Sequence, residues 1–289
     1  MTLKTGIITA NQLNFGYVEA GNGPLILALH GFPDHARTFR HQATAFAAAG
    51  YRLVAPFLRG YKPTDVAPDG IYHVAALVQD TIALLKGLSD EPAVLIGHDW
   101  GAAVAYGVAA VAPERIRKLV TMAVPHGGLN KAFITNRTQL KRSWYMFFFQ
   151  SALAEAAIPH NNFDFLEQTW RDWSPSWDFP PEEIALLKET FQKPDVVSAA
   201  LAYYRHMFNP PRLPEALKAI QKEMRTPITV PTLYLHGAQD GCIGADVSQG
   251  MEKRFSGELR QVIIPDAGHF VHQEKPELVN QLILEFLAT

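Results

Sequence analysis

Asp99 is the residue whose type and setting point most directly to chemistry. It stands at the centre of Gly97-His98-Asp99-Trp100-Gly101, between the apolar run Val94 to Ile96 and a segment of small residues that includes Ala102, Ala103 and Ala105. Small–x–nucleophile–x–small between a buried strand and a helix describes a strained elbow, whose glycines remove clashes and let strand and helix pack closely. Such an elbow often carries a serine. A carboxylate in its place is already ionised near neutral pH and needs no base to activate it. The competing reading is an aspartate that caps a helix N-terminus.

Two later segments supply partners. LHGAQD follows one apolar run with Asp240, and IIPDAGHF follows the last with His269. Each is weak alone, since aspartate is common in turns. Together they give the chain order nucleophile, acid, base, each just past a strand. His272, three residues after His269, is the rival base. Earlier, the strand LILALHG runs into HGFPD, His30 to Asp34. Gly31 permits an unusual backbone angle, and Phe32–Pro33 is a candidate cis peptide. That loop would aim the Phe32 backbone N–H into a pocket.

The elements that must position these groups follow from the pattern of apolar runs. LILALHG (25–31), YRLVAPF (51–57), AVLIGHD (93–99), KLVTMAV (118–124), TLYLHGA (232–238) and RQVIIPD (260–266) read as strands buried on both faces of a parallel sheet. Helical patterns at 38–50, 73–88 and 101–113 lie between them. This alternation implies a mostly parallel α/β sheet with ligands at the carboxyl ends of its strands. NQLNFGYVEAGNGP reads as a hairpin feeding the sheet, with its turn placed around Gly16. From 128 to 219 the rhythm breaks. The stretch is aromatic and helical, and reads as a cap inserted in a core made of 1–127 and 220–289.

Composition narrows the partners. The 289 residues are 48% hydrophobic and 19% charged with a net charge of −2, so a large core is available and no basic footprint for nucleic acid exists. The single cysteine, Cys242, forms no internal disulfide, which points to a reducing, cytoplasmic setting. No run of about 18 apolar residues is present to insert in a membrane, and the N-terminus lacks a signal-peptide core. The 11 histidines show no HExxH spacing and the lone cysteine cannot form Cys-x-x-Cys, so no metal or other cofactor is expected. Oligomeric state, including a homodimer, stays open.

HGFP, GHDWG, the late aspartate and AGHF together resemble the α/β-hydrolase superfamily, and within it the epoxide hydrolases, over nearly the whole chain. That family usually places one tyrosine in each half of its cap. SWYMFFFQ offers Tyr145, five residues before Gln150, and LAYYRHM offers Tyr204, just before Arg205; Tyr203 is the adjacent competitor. One departure lies in APFLRGYKPTD, where Phe57 and Lys62 replace residues frequent in relatives.

The resemblance implies a two-step reaction, and the chemistry explains the carboxylate. A serine attacking an epoxide carbon would leave an ether that water cannot readily cleave. Asp99 would form an ester, which water cleaves to a vicinal diol. His269, oriented by Asp240, would activate that water. Tyr145 and Tyr204 would hydrogen-bond the opening oxygen. The N–H groups of Phe32 and Trp100 would hold the ester's oxyanion, each such donor being worth about 2.7–4 kcal/mol of barrier. Phe32, Trp100, Trp144, Phe148 and Phe270 would line an apolar pocket for a small epoxide. A haloalkane dehalogenase is the near rival, because Trp100 could hold a halide with help from Trp144 or Trp170. A non-catalytic ligand-binding protein on the same fold is the rival from another class.

Overall fold

In the computed structural model, which describes residues 3–289, eight strands form one sheet in the order β1-β2-β4-β3-β5-β6-β7-β8. They are β1 (Lys4–Ala10), β2 (Leu13–Ala20), β3 (Leu25–Leu29), β4 (Arg52–Pro56), β5 (Ala93–His98), β6 (Ile116–Met122), β7 (Thr232–Gly237) and β8 (Leu259–Ile264). The first two are antiparallel to each other, and β2 is antiparallel to β4; the remaining pairs are parallel. Every residue of β3, β5 and β7 is buried. This is why those segments read as unbroken apolar runs and not as alternations.

The helices are α1 (Arg40–Ala48), α2 (Val74–Leu88), α3 (Trp100–Val111), α4 (Leu129–Thr135), α5 (Arg137–Arg142), α6 (Trp144–Phe148), α7 (Leu153–Ala157), α8 (His160–Trp173), α9 (Pro181–Gln192), α10 (Val196–Phe208), α11 (Glu215–Glu223), α12 (Val271–Glu274) and α13 (Pro276–Ala288). Two groups flank the sheet, α1 with α13 and α2 with α3 and α11. Residue 219 falls inside α11, which packs on α2 through Leu217, Ala75 and Ala76, with Leu213 and Ile71 just ahead of the two helices in the same cluster. None of the described helices is long and apolar enough to cross a membrane.

The N-terminal hairpin turns at Asn11 and Gln12, both at positive φ, and not around Gly16. Gly16 sits inside β2 opposite Ile7. A Cβ there would lie 2.3 Å from Pro63 Cγ, so the glycine marks a close approach between chain segments.

Register sets the level of the functional loops. Leu29 pairs with Gly97, Gly97 with Thr121, Met122 with Leu235, and Gly237 with Ile264. The carboxyl ends of β3, β5, β7 and β8 therefore finish side by side. The loops that follow carry Phe32, Asp99, Asp240 and His269. Ligands of open α/β sheets bind at this edge.

Candidate active site

The elbow is built as its glycines require. Asp99 has φ 53° and ψ −118°, an unusual conformation for a residue with a side chain. A Cβ on Gly97 would lie 2.2 Å from the Gly101 carbonyl oxygen, and one on Gly101 would lie 2.0 Å from that of Leu29. Both positions exclude a side chain. The Asp99 carboxylate makes no cap bond to α3. Its Oδ1 instead accepts the Phe32 N–H at 2.7 Å. The capping explanation of Asp99 is thereby excluded. The Phe32–Pro33 peptide is cis. Among the described residues no hydrogen bond joins the Trp100 N–H to this carboxylate.

Asp240 follows β7 and is wholly buried. Its Oδ1 accepts the N–H groups of Cys242 and Ile243 at 2.7 and 2.8 Å. Its Oδ2 lies 2.8 Å from Nδ1 of His269. Burial alone would raise this carboxyl, but the adjacent His269 charge and hydrogen bond hold it below the ordinary aspartate value. Burial pulls His269 the other way. Asp240, aided by Asp99, overcomes it and lifts the imidazole to about 10. Nε2 of His269 has no hydrogen-bond partner and stands 3.6 Å from Asp99 Oδ2.

The histidines beside the motifs have structural partners. His30 accepts the Leu58 N–H at Nε2, which leaves Nδ1–H to donate to the Gly31 carbonyl at 2.9 Å. His98 meets the His269 carbonyl oxygen at 3.0 Å, and His236 meets that of Ile243 at 2.9 Å. His272 is bonded to Thr38 at 2.6 Å, and it is His269 that carries the Asp240 carboxylate.

Above Asp99, α6 brings Tyr145 and α10 brings Tyr204, with ring centroids 5.6 Å apart. Two side chains fix this pairing. Gln150 Nε2 donates to the carbonyls of Met146 and Tyr204 at 2.9 and 3.2 Å. Arg205 Nε donates to the Phe149 carbonyl at 3.0 Å, and its Nη1 reaches Glu155 at 2.8 Å. The spacings Tyr145 to Gln150 and Tyr204 to Arg205 thus have a mechanical meaning. Tyr203 donates to the Arg59 carbonyl at 2.9 Å and belongs to the core. The hydroxyls differ in their surroundings. Tyr145 Oη is 3.3 Å from Cys242 Sγ, whereas the buried Tyr204 Oη has no partner. Burial first, then nearby negative charge, raises both phenols well above their ordinary value.

The apolar lining differs in part from expectation. Phe32 is buried edge-to-face against Phe149, Trp173, Phe191 and Tyr204. Trp100 packs on Tyr204 at 5.2 Å. Phe149, and not Phe148, meets Tyr145 and Tyr204. Phe148 lies half-buried against Trp144 and Phe165, and Trp144 is 52% exposed. Phe270 packs behind the base, on His269, His98 and Trp170. Phe57 packs on His35, away from the triad.

Trp173 was not foreseen from the sequence. Its ring touches His269 and Tyr145, each at 4.9 Å, and its carbonyl accepts the N–H groups of Gly241 and His269. Beside it, Ser174 joins Glu274, which also accepts the Gly268 N–H. Cys242 was missed as well, because only the turn after Asp240 brings its thiol to Tyr145.

Known proteins resemble this chain over nearly all of its length. Residues 24–276 match the profile of a family described as alpha/beta hydrolase fold. The AB hydrolase superfamily protein YfhM of Bacillus subtilis is 32% identical over 99% of this chain and 98% of its own length. Epoxide hydrolase 4 of Mus musculus is 32% identical over 97% of this chain and 78% of its own. The crystal structure of Bacillus megaterium epoxide hydrolase in complex with an inhibitor superposes with a TM-score of 0.86 at 26% identity, covering 98% of this chain and 100% of that one. The elbow, the sheet that carries it and these likenesses place the chain in the α/β-hydrolase superfamily, as a member of the epoxide hydrolase family.

Proposed function

We propose that this protein hydrolyses small apolar epoxides to vicinal diols through a covalent ester on Asp99. One observation carries the reading. A buried carboxylate, held by the Phe32 N–H and facing His269, lies beneath a buried tyrosine hydroxyl with no partner in the protein. Buried polar groups are normally paired, so an unpaired donor at a reaction centre calls for an acceptor brought by substrate.

In the first step an oxygen of Asp99 attacks an epoxide carbon and the carbon–oxygen bond breaks. The departing oxygen takes a proton from Tyr204, with Tyr145 as second donor. The phenols keep their protons at neutral pH because burial raises them. In the second step water attacks the carbonyl carbon of the ester. His269 takes the proton of that water, and Asp240 steadies the imidazolium. The Phe32 N–H and, once the carboxylate has become an ester, the Trp100 N–H stabilise the oxyanion. On collapse the departing alkoxide takes the proton of the new carboxyl group, which frees the diol and restores ionised Asp99, while the proton that His269 sheds after esterification returns to the Tyr204 phenolate.

The electrostatics suit this order. With Asp99 ionised, two anions hold His269 protonated. Esterification neutralises one of them, and the imidazole loses its proton more readily when a base is needed.

The helices from α4 to α10 act in this reading as the cap, bringing both phenols and the apolar wall. The buried free thiol of Cys242 suits a cytoplasmic setting. The halide alternative lacks a second indole donor beside Trp100: Trp170 N–H is given to the Pro33 carbonyl at 2.8 Å, and Trp144 is turned outward. The test is a panel of styrene-type, aliphatic and disubstituted epoxides assayed for diol, with halide release from chloro- and bromoalkanes measured in parallel. Diol without halide supports the reading. Halide without diol overturns it.

A further inference from the structure

Cys242 has no part in the ester mechanism, yet its thiol sits inside the reaction centre. One ligand atom from each of Asp99, Cys242 and His269 lies within 4.8 Å of the other two. All three residues are buried. His269 Nε2 is aimed at Asp99 with no hydrogen-bond partner, and its other nitrogen is already held by Asp240. A carboxylate on the far nitrogen of a histidine is the usual orienting arrangement around a bound metal.

We infer that Asp99, Cys242 and His269 form a latent site for a thiophilic divalent cation, Zn2+ or Cd2+, whose occupation blocks catalysis. Sulfur, imidazole and carboxylate are the donor set that zinc prefers. Bond lengths of about 2.3 Å to sulfur and about 2.0–2.2 Å to nitrogen and oxygen put neighbouring ligands roughly 3–4 Å apart. The separation of 3.6 Å between His269 Nε2 and Asp99 Oδ2 already falls in that range. Cys242 has only to turn its sulfur from Tyr145 toward the pair. Binding releases the thiol proton and the imidazole proton. The cation then occupies the lone pairs that attack the epoxide and activate the water, so inhibition is competitive with substrate.

The sole cysteine makes the test specific. Cadmium bound to a thiolate absorbs in the near ultraviolet, and this chain has one sulfur that can give the signal. The other buried cluster able to hold a cation, Asp34, His98 and His272, contains no sulfur and is silent. Titration of the purified protein with Cd2+ is expected to give this absorption at one equivalent. Asp99→Asn and His269→Gln should each weaken binding at least about tenfold, and Asp240→Asn about 10–100-fold, with circular dichroism confirming that each variant is folded. Absorption with unchanged affinity in both Asp99→Asn and His269→Gln would mean that the cysteine binds alone, and would overturn the site. Absence of absorption up to millimolar Cd2+ would overturn it too. Inhibition by Zn2+ should be reversed by a chelator and weakened about tenfold or more in Cys242→Ser, relative to that variant's metal-free rate. Equal inhibition of Cys242→Ser would overturn the proposal. The spectroscopic measurement needs no substrate, so its outcome is independent of whether epoxides are turned over.

Discussion

Nε2 of His269 faces Oδ2 of Asp99 across 3.6 Å, beyond hydrogen-bonding distance but close enough for strong electrostatic coupling. Its Nδ1 lies 2.8 Å from Asp240 Oδ2, so the imidazole sits between two carboxyl groups.

Asp99→Asn removes one of those carboxylates and mimics the charge state of the ester. The titration of His269, followed by NMR of its imidazole, should move down from about 10. In single-turnover experiments on the unaltered protein, ester hydrolysis should gain rate with rising pH through a midpoint below that value. A His269 titration unchanged by Asp99→Asn would remove the electrostatic basis of the switch.

The same substitution should abolish turnover, apart from slow return of the amide to aspartate. One turnover of unaltered protein in heavy-oxygen water should place label in Asp99, because water attacks the ester carbonyl. Label confined to the diol would mean direct attack on the epoxide.

The tyrosines should not be equivalent. Tyr204 Oη is free, while Tyr145 Oη already has Cys242 as a partner. Tyr204→Phe is expected to slow formation of the ester by about 100–1,000-fold, the usual cost of one transition-state donor. Tyr145→Phe should cost less. Neither should much alter ester hydrolysis, so single-turnover rates separate the two steps. Equal losses in both steps would argue for disturbed packing.

Gly31→Ala tests the placement of the nucleophile. A Cβ at this position would lie 2.2 Å from Asp99 Oδ1 and must push the carboxylate off the Phe32 N–H. We expect a fall in kcat of about 100-fold or more, with circular dichroism and thermal unfolding close to those of the parent. Full activity would show that this hydrogen bond is dispensable.

Acid should destabilise the fold. Burial lowers His30 to about 4 and His35 to about 3. Below an unfolded value of about 6.5 the unfolded chain binds protons that the native state refuses, and each group then costs about 1.4 kcal/mol per pH unit. Burial raises Asp34 to about 7, so this carboxyl works in the opposite sense and returns about 1.4 kcal/mol per unit as pH falls from 7 toward 4. The net of these three is a loss of about 1.4 kcal/mol per unit between pH 6 and 4. Urea unfolding midpoints at pH 7, 5 and 4 check this. A flat profile would contradict the buried neutral state of both imidazoles.

The parts legible in the sequence were those with a local cause. Apolar runs bounded by Gly or Asp marked β3 to β7, because burial on both faces leaves few polar positions; β8 departs from that expectation, since it is the sheet's edge strand and leaves Arg260, Gln261 and Ile263 exposed. The glycines of the elbow marked Asp99, because two backbones approach too closely for any side chain. Gly16 misled for a related reason: it answers to Pro63, 47 residues away, and not to a turn. The direction of the aromatic run in α6 was not legible, since five residues give barely more than one turn. Trp144 accordingly faces outward and Phe148 lies half-buried to one side, while Phe149 faces the tyrosines. Trp173 enters the site from the end of α8 and Cys242 from the turn after Asp240, and no spacing records their meeting.

The carbonyl of Trp173, at the end of α8, holds the backbone of both Gly241 and His269. Gly241 and Gly268 approach the neighbouring chain so closely that added Cβ atoms would lie 2.0 Å from the Asp172 carbonyl oxygen and 2.5 Å from Ser174 Cα. These contacts lock the end of α8 to the turns that follow β7 and β8, so any displacement of α8 would carry Asp240 and His269 with it.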